Sequence, residues 1–316
     1  MRTLIHRGVR ERVETLAHEF HSADPFRHVV IDDFFTPDFC RQLISEFPAF
    51  DAEHARNEMG HVGGKAVFQN LAQLGSSYAR LDQMLRGREF LTFVGRITGI
   101  PDLLYDPAYI CGGTHDNVHG QELDPHVDFN YHPKTQRHRR LNLIVFLNPE
   151  WHEEWGGALQ LHVNPWLPPD EDRVKTILPL ANRSVIFETT ERSWHGFKRI
   201  RLPPEKRNLS RRSIAVYYYS KERPVEETAP SHSTVYVPRG LPENFRAGHM
   251  LREEDVDAVR ALLTRRDMQI RYLYEREIEF SSVVHGILRS KSFRLYHILT
   301  EPARRCWSWI KLRKAL

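Results

Sequence analysis

The chain has 316 residues, of which 41% are hydrophobic and 27% are charged. This composition excludes a collagen-like, low-complexity or disordered protein, and the length allows two domains or one large domain with an appendage. The sequence contains no run of about 18 apolar residues, so we expect no membrane-spanning helix. The charged N-terminal segment lacks the apolar core of a signal peptide, which favours a cytoplasmic protein.

The net charge of +4 is unevenly distributed along the chain. Residues 289–316 carry eight basic side chains and one acid, a net charge of +7 that leaves about −3 for residues 1–288. Trp307, Trp309 and Ile310 are interleaved with cations there, as in helices that lie on an anionic membrane surface. A helix packed on the rest of the protein or on another subunit fits equally well. We expect contact with the inner face of a membrane or with a subunit, and no nucleic-acid partner.

The first hundred residues predict helices and one strand. Helical periodicity indicates a helix over 9–22 and two helices within 67–99. A β-branched and aromatic run indicates a strand over 25–35. The Thr36-Pro37 pair is a typical helix start and indicates a helix over 37–47. The two helices within 67–99 are expected to separate near Gly75.

From residue 103 to residue 220 the pattern changes to short β-type runs, among them 141–148, 158–163, 184–189 and 213–220. Short strands without intervening helical patterns are typical of an all-β sandwich or barrel. A polar linker follows Pro224, and helical periodicity returns at residue 252. We therefore expect a domain over 1–225 and a linker with a helical region over 226–316.

A metal-binding pattern lies within the β-rich region. His126 and Asp128 are separated by one residue, so their side chains share a face if the segment is extended. His195 follows the run 184–189 and is a third candidate ligand. Taken alone, His126 is also typical of a surface loop and His195 of a hydrogen-bonded core. Together, two imidazoles and one carboxylate form a facial triad suited to non-haem Fe(II).

A carboxylate-binding pattern begins the last β-type run. Arg211 and Ser213 share one face of that run, and an arginine beside a hydroxyl can bind a carboxylate through two hydrogen bonds. The alternative is that Arg211 and Arg212 are solvated charges. The order of the motifs favours the first interpretation: HxD, paired glycines before a strand, His-Gly, and then RxS.

This ordered set resembles the iron(II)- and 2-oxoglutarate-dependent oxygenases, most closely their prolyl-hydroxylase-like branch. The resemblance covers about residues 25–220 and rests on PFRHVVIDDFFTPDFC, PHVDFN, RRLNLIVFLNPEW, EWGGALQL, PLANRSVIFETTERSWHGF and RRSIAVYYY. It implies a mainly β fold: a double-stranded β-helix (jelly-roll) core, N-terminal helices on one sheet and a C-terminal helical extension.

The resemblance also implies roles for individual residues. The catalytic metal ligands would be His126, Asp128 and His195, and the residues that bind 2-oxoglutarate would be Arg211, Ser213 and Asn142. Phe146 stands where this branch often has a tyrosine, and Tyr109 is a candidate to replace that tyrosine. Candidate substrate contacts are Asn130, Tyr131, Trp194 and His115.

The implied cofactor is Fe(II), with 2-oxoglutarate and O2 as cosubstrates and ascorbate as a candidate reductant. Succinate and CO2 would be released, and Asp128 favours hydroxylation because related halogenases have a small residue there. We expect the substrate to be a small molecule or a cell-surface glycan precursor, a preference that rests on the arginine- and acid-rich C-terminal region. The alternatives are a protein prolyl hydroxylase and a non-catalytic β-helix module in a surface-assembly complex.

Overall fold

The computed structural model describes residues 1–51, 55, 65–238, 240–241 and 245–290. The chain divides into two compact units, Met1–Gly240 and Leu241–Leu316. The first unit contains two antiparallel sheets and a layer of helices. Within the described residues, no helix is long and apolar enough to cross a membrane.

The helices of the first unit lie in its N-terminal part: α1 (Arg7–Glu11), α2 (Val13–Ser22), α3 (Pro37–Ser45), α4 (Ser76–Leu85) and α5 (Arg88–Thr98). The helix predicted over 9–22 is thus interrupted at Arg12. The two helices predicted within 67–99 separate at Gly87, and Gly75 instead precedes α4. A side chain at Gly87 would meet the carbonyl oxygen of Met84 at 3.1 Å, so a glycine permits this tight connection.

The strands are β1 (His28–Ile31), β2 (Ala66–Phe68), β3 (Leu104–Tyr105), β4 (Gly113–Asn117), β5 (Leu123–Val127), β6 (His138–Phe146), β7 (Leu159–His162), β8 (Val174–Ile177), β9 (Ser184–Glu188), β10 (His195–Phe197), β11 (Arg211–Ser220) and β12 (Val235–Tyr236). The larger sheet has the order β1-β9-β6-β11-β4-β2, and β3 also pairs with β11. The smaller sheet has the order β12-β5-β10-β7-β8.

Apolar side chains join the two sheets. Phe146 and Phe187 of the larger sheet pack with Leu159 and Leu161 of the smaller one. The opposite face of the larger sheet packs on the helices, where side chains such as Leu143 of β6 are buried. These layers confirm the predicted double-stranded β-helix with N-terminal helices on one sheet.

A bulge interrupts the pairing of β6 with β11. Tyr218 pairs with Leu141, but the next residue, Tyr219, pairs with Arg139. Strand β6 therefore has one extra residue at this point, and the alternation of its side chains shifts by one. As a result Arg139 turns towards the space between the sheets, on the same side as Asn142.

The described part of the second unit contains the helix α6 (Glu253–Arg289). A carboxylate oxygen of Asp255 accepts a hydrogen bond from the backbone N–H of Arg252 at 3.0 Å, which caps the start of the helix. The tryptophans of the predicted membrane-surface helix belong to residues 291–316, which lie outside the described residues.

Candidate metal centre and cosubstrate site

The three predicted metal ligands come together on two neighbouring strands. His126 of β5 pairs directly with His195 of β10, and Asp128 follows β5. Their ligand atoms all lie within 4.8 Å of one another, and all three side chains are buried. Asp128 Oδ1 is 3.8 Å from His126 Nε2, and Asp128 Oδ2 is 3.5 Å from His195 Nε2. The cluster can therefore offer two nitrogens and one carboxylate to a single metal ion.

Backbone carbonyl groups orient both imidazoles. Nδ1 of His126 lies 2.9 Å from the carbonyl oxygen of Asp124, and Nδ1 of His195 lies 2.9 Å from that of Ser193. A carbonyl oxygen can only accept, so each Nδ1 carries the proton and each Nε2 keeps its lone pair. Burial lowers the pKa of both histidines, that of His126 to about 3. Both rings are therefore neutral at pH 7 and suited to bind a metal ion through Nε2.

Two side chains hold Asp128 in place. Arg139 Nη2 lies 3.0 Å from Asp128 Oδ2, and the Asn142 amide donates to the same oxygen at 2.8 Å. Burial opposes ionisation of Asp128, but the adjacent Arg139 cation favours the charged form and helps to hold the pKa of this carboxyl well below its usual range. Asn142 was expected to contact the cosubstrate, whereas the structure places its amide on the ligand carboxylate.

Arg139 was not singled out from the sequence. Its side chain is completely buried, with the guanidinium carbon 3.6 Å from the centroid of the Tyr217 ring and 4.5 Å from that of Phe129. Arg139 also donates to the side-chain oxygen of Asn142 from Nε at 3.1 Å and from Nη2 at 2.8 Å. Strict alternation along β6 would place Arg139 on the helix side, so only the bulge brings it to the site. Two consecutive arginines directly before the largely apolar run of β6 were the signal that could have revealed it.

The predicted carboxylate-binding pair lies at the start of β11. Arg211 is buried, and its guanidinium carbon lies 4.4 Å and 5.0 Å from the ring centroids of Phe197 and Phe146. Its Nε donates to the carbonyl oxygen of Gly157 at 2.5 Å. Gly157 has a φ of +71°, and a side chain there would meet the Trp151 ring at 2.9 Å. Glycine therefore allows this close approach.

The charge of Arg211 has no carboxylate partner among the residues that the structure describes. Burial lowers its pKa to about 9, and no acidic neighbour counters that effect. Ser213, two residues further along β11, is buried on the same face. A buried guanidinium of this kind is unfavourable unless an anion accompanies it. The pair therefore fits an anionic cosubstrate such as the distal carboxylate of 2-oxoglutarate.

His115 and Tyr109 form hydrogen bonds within the protein and do not take the substrate and cosubstrate roles that we expected. His115 is buried opposite Ser213 and hydrogen-bonds through Nε2 to the carbonyl oxygen of Cys111 at 3.1 Å. It therefore lies beside the cosubstrate pair. The Tyr109 hydroxyl donates to Asp82 at 3.1 Å within the helix-side core. The backbone at Tyr109 has a φ of +46°, and the ring packs on that side of the larger sheet. The structure therefore does not bring Tyr109 to the site.

Asn130 and Tyr131 bind a later segment of the same chain, residues 229–237, which we call the strap. Asn130 donates to the carbonyl oxygen of Pro230 at 2.8 Å and accepts from the backbone N–H of His232 at 3.0 Å. The Tyr131 hydroxyl donates to the carbonyl oxygen of Ala229 at 3.3 Å. Asn130 and Tyr131, which we expected to contact the substrate, thus hold the strap in place by hydrogen bonds. The strap includes part of the segment predicted to be a linker.

The strap continues into β12, which pairs with β5 beside the metal ligands. Tyr236 pairs with His126, and the two rings lie 5.2 Å apart between centroids. On the other side of the cluster, half-buried Trp194 meets Trp166 edge-on at 6.2 Å. Trp166 is 62% exposed, so this aromatic pair remains accessible next to a ligand.

Comparison with known proteins shows which proteins this chain resembles. Residues 113–219 match the model of the 2OG-Fe(II) oxygenase superfamily, a stretch that contains all three candidate ligands, Arg211 and Ser213. Over this stretch the chain is similar to the 2OG-Fe(II) oxygenases, as the order of its motifs predicted. The cofactor and cosubstrates of this class are Fe(II), 2-oxoglutarate and O2, which confirms that prediction.

Individual relatives have names that refer to prolyl hydroxylation. The chain is 24% identical over 228 residues to prolyl 3-hydroxylase OGFOD1 of Mus musculus, a match over 68% of this chain. The match spans only 36% of that curated relative's length. A prolyl hydroxylase in complex with a hypoxia inducible factor peptide fragment, from Trichoplax adhaerens, is 14% identical (TM-score 0.47; 68% of this chain and 91% of that chain). A prolyl 4-hydroxylase from Phytophthora capsici is 17% identical (TM-score 0.47; 96% and 92%).

Proposed function

We propose that His126, Asp128 and His195 hold Fe(II) and that Arg211 and Ser213 bind the distal carboxylate of 2-oxoglutarate. One observation carries this proposal: two neutral imidazoles and an ionised carboxylate converge in the same match region as a buried guanidinium that has no carboxylate partner among the described residues. When bound, the metal and its cosubstrates supply the decarboxylation of 2-oxoglutarate to succinate and the hydroxylation of a C–H bond.

The protein's part in the reaction is to position groups and exclude water. Arg139 and Asn142 fix the orientation of Asp128, and two backbone carbonyls fix the imidazoles. Arg211 would orient 2-oxoglutarate from its far end. The aromatic rings of Phe146 and Phe197 lie beside the guanidinium and shield it from solvent, which strengthens its interaction with an anion.

We further propose a prolyl residue of a protein as the substrate. The relative of 24% identity over 228 residues is named a prolyl 3-hydroxylase, and the match includes most of the first unit. The second candidate is a small molecule or a cell-surface glycan precursor. It is favoured by the strap, which pairs with the strand that carries His126 and so occupies an edge where an extended polypeptide could otherwise pair.

Succinate formation from 2-oxoglutarate tests the reaction class. We expect the wild type with Fe(II) to release succinate, His126→Ala to release none, and the control variant His152→Ala to behave as the wild type. His152 is exposed and pairs with Glu150, so it reports general effects of losing a histidine. If the wild type neither binds iron nor forms succinate, the non-catalytic module is the correct interpretation.

The substrate is tested by presenting proline-containing peptides and nucleotide-sugar or lipid-linked glycan precursors in parallel. A prolyl substrate predicts a peptide product one oxygen atom heavier, together with succinate release above the uncoupled background. A heavier glycan precursor with unmodified peptides would instead support the second candidate.

A further inference from the structure

Helix α6 carries an exposed apolar stripe. The helix has 37 residues and is therefore about 55 Å long. Large apolar side chains on it are about half exposed or more: Leu263 53%, Ile270 49%, Leu273 61%, Phe280 72% and Ile287 52%. A soluble helix with so much exposed apolar surface is typical of an element that binds a partner.

The stripe follows a heptad repeat. One series of positions comprises Val256, Leu263, Ile270, Glu277 and Val284, and the other comprises Val259, Arg266, Leu273, Phe280 and Ile287. Spacings of three and four alternate without interruption over these ten positions, and eight of them are apolar. An uninterrupted 3.5-residue period is typical of a left-handed coiled coil. We call these ten residues the heptad stripe.

The two polar members of the heptad stripe have opposite charges and symmetric positions. Arg266 is the second member of its series from the N-terminal end, and Glu277 is the second member of the other series from the C-terminal end. If two copies of α6 pair in antiparallel orientation about the midpoint between Arg271 and Tyr272, Arg266 of one copy therefore shares a layer with Glu277 of the other. Two-fold symmetry makes this contact occur twice.

The other layers of that antiparallel pairing are entirely apolar: Val256 with Ile287, Val259 with Val284, Leu263 with Phe280, and Ile270 with Leu273. A parallel pairing in register would instead place Arg266 against Arg266 and Glu277 against Glu277. Like charges that face each other across an interface oppose association. The charge pattern therefore selects the antiparallel orientation.

We propose that α6 binds α6 of a second copy of this chain as an antiparallel two-stranded coiled coil, with Arg266 paired to Glu277 in both symmetric layers. The enzyme is then a homodimer joined through its second unit. This inference depends on α6 alone and is independent of the proposed substrate and metal ligands.

Charge reversal in the full-length protein tests the proposal. We expect light scattering to show a dimer for the wild type, and Arg266→Glu or Glu277→Arg to weaken dimerisation by roughly tenfold or more. The double variant Arg266→Glu/Glu277→Arg should recover the wild-type affinity, because each layer again contains opposite charges. Arg271→Glu, an exposed position outside the heptad stripe, is the matched control and should remain dimeric.

Circular dichroism and thermal unfolding of each variant show whether the protein remains folded. The proposal is wrong if the wild type is monomeric at a protein concentration of tens of micromolar. A monomer is also the expected result if residues 291–316 of the same chain bind the heptad stripe. It is equally wrong if the single variants stay dimeric, or if the double variant fails to recover while remaining helical.

Discussion

Replacing Arg139 by methionine tests the buried ion pair with Asp128. Methionine retains an apolar stem of similar length but removes the cation that lies 3.0 Å from Asp128 Oδ2. In metal-free protein this leaves a buried carboxylate without its counter-charge, which costs about 3–5 kcal/mol of the free energy of unfolding. For a unit of this size, the melting temperature should fall by roughly 6–20 °C.

A divalent cation can replace the charge that Arg139→Met removes. We therefore expect Mn(II), a redox-stable substitute for Fe(II), to raise the melting temperature of Arg139→Met more than that of the wild type. The matched variant is Asp128→Asn, which leaves Arg139 as the unpaired charge. The double variant Arg139→Met/Asp128→Asn contains neither charge and should be more stable than the sum of the single effects predicts.

Thermal unfolding of these four proteins, with and without Mn(II), is the assay. The reasoning is refuted if Arg139→Met loses less than about 1 kcal/mol, since a buried pair should cost several times that amount. It is also refuted if the two single effects simply add, or if Mn(II) stabilises Arg139→Met and the wild type equally.

Two further predictions concern the cosubstrate pair and the strap. Burial lowers the pKa of Arg211 from 12.5 to about 9, so its charge is fully present only well below pH 9, where it is unfavourable for folding. Arg211→Met should therefore leave the metal-free melting temperature at neutral pH unchanged or higher while abolishing stabilisation by 2-oxoglutarate. A loss as large as that of Arg139→Met would contradict this. Asn130→Ala removes two hydrogen bonds to the strap and should accelerate amide hydrogen exchange across residues 229–237 without changing metal affinity more than about twofold; unchanged exchange there would show that Asn130 does not hold the strap.

Local patterns predicted two of the three candidate metal ligands, because the arrangement of those two depends on strand alternation. His126 and Asp128 share a face in any extended segment, whereas placing His195 beside them required the resemblance to a known family. Arg139 could not be predicted in this way. Its orientation depends on a bulge that arises from pairing with β11, which is more than seventy residues away in the sequence.

The strap and Tyr109 show a second limit of the sequence. Residues 231–234 are polar and β12 has only two residues, so the strand depends on its pairing with the edge of β5. Tyr109 lies at a positive φ in a turn, and that backbone conformation directs its ring to Asp82. In both cases the decisive contact is tertiary and leaves no periodic trace in the sequence.

Calorimetric titration of 2-oxoglutarate into anaerobic, Fe(II)-loaded protein tests the central claim most directly. The account predicts one 2-oxoglutarate bound per wild-type chain only when metal is present. It also predicts binding weaker by about a hundredfold or more in Arg211→Met and no metal-dependent binding in His126→Ala, because a buried charge-assisted carboxylate pair and a metal ligand are then lost. Equal affinity with and without metal, or an Arg211→Met variant that binds as tightly as the wild type, would contradict the proposed site.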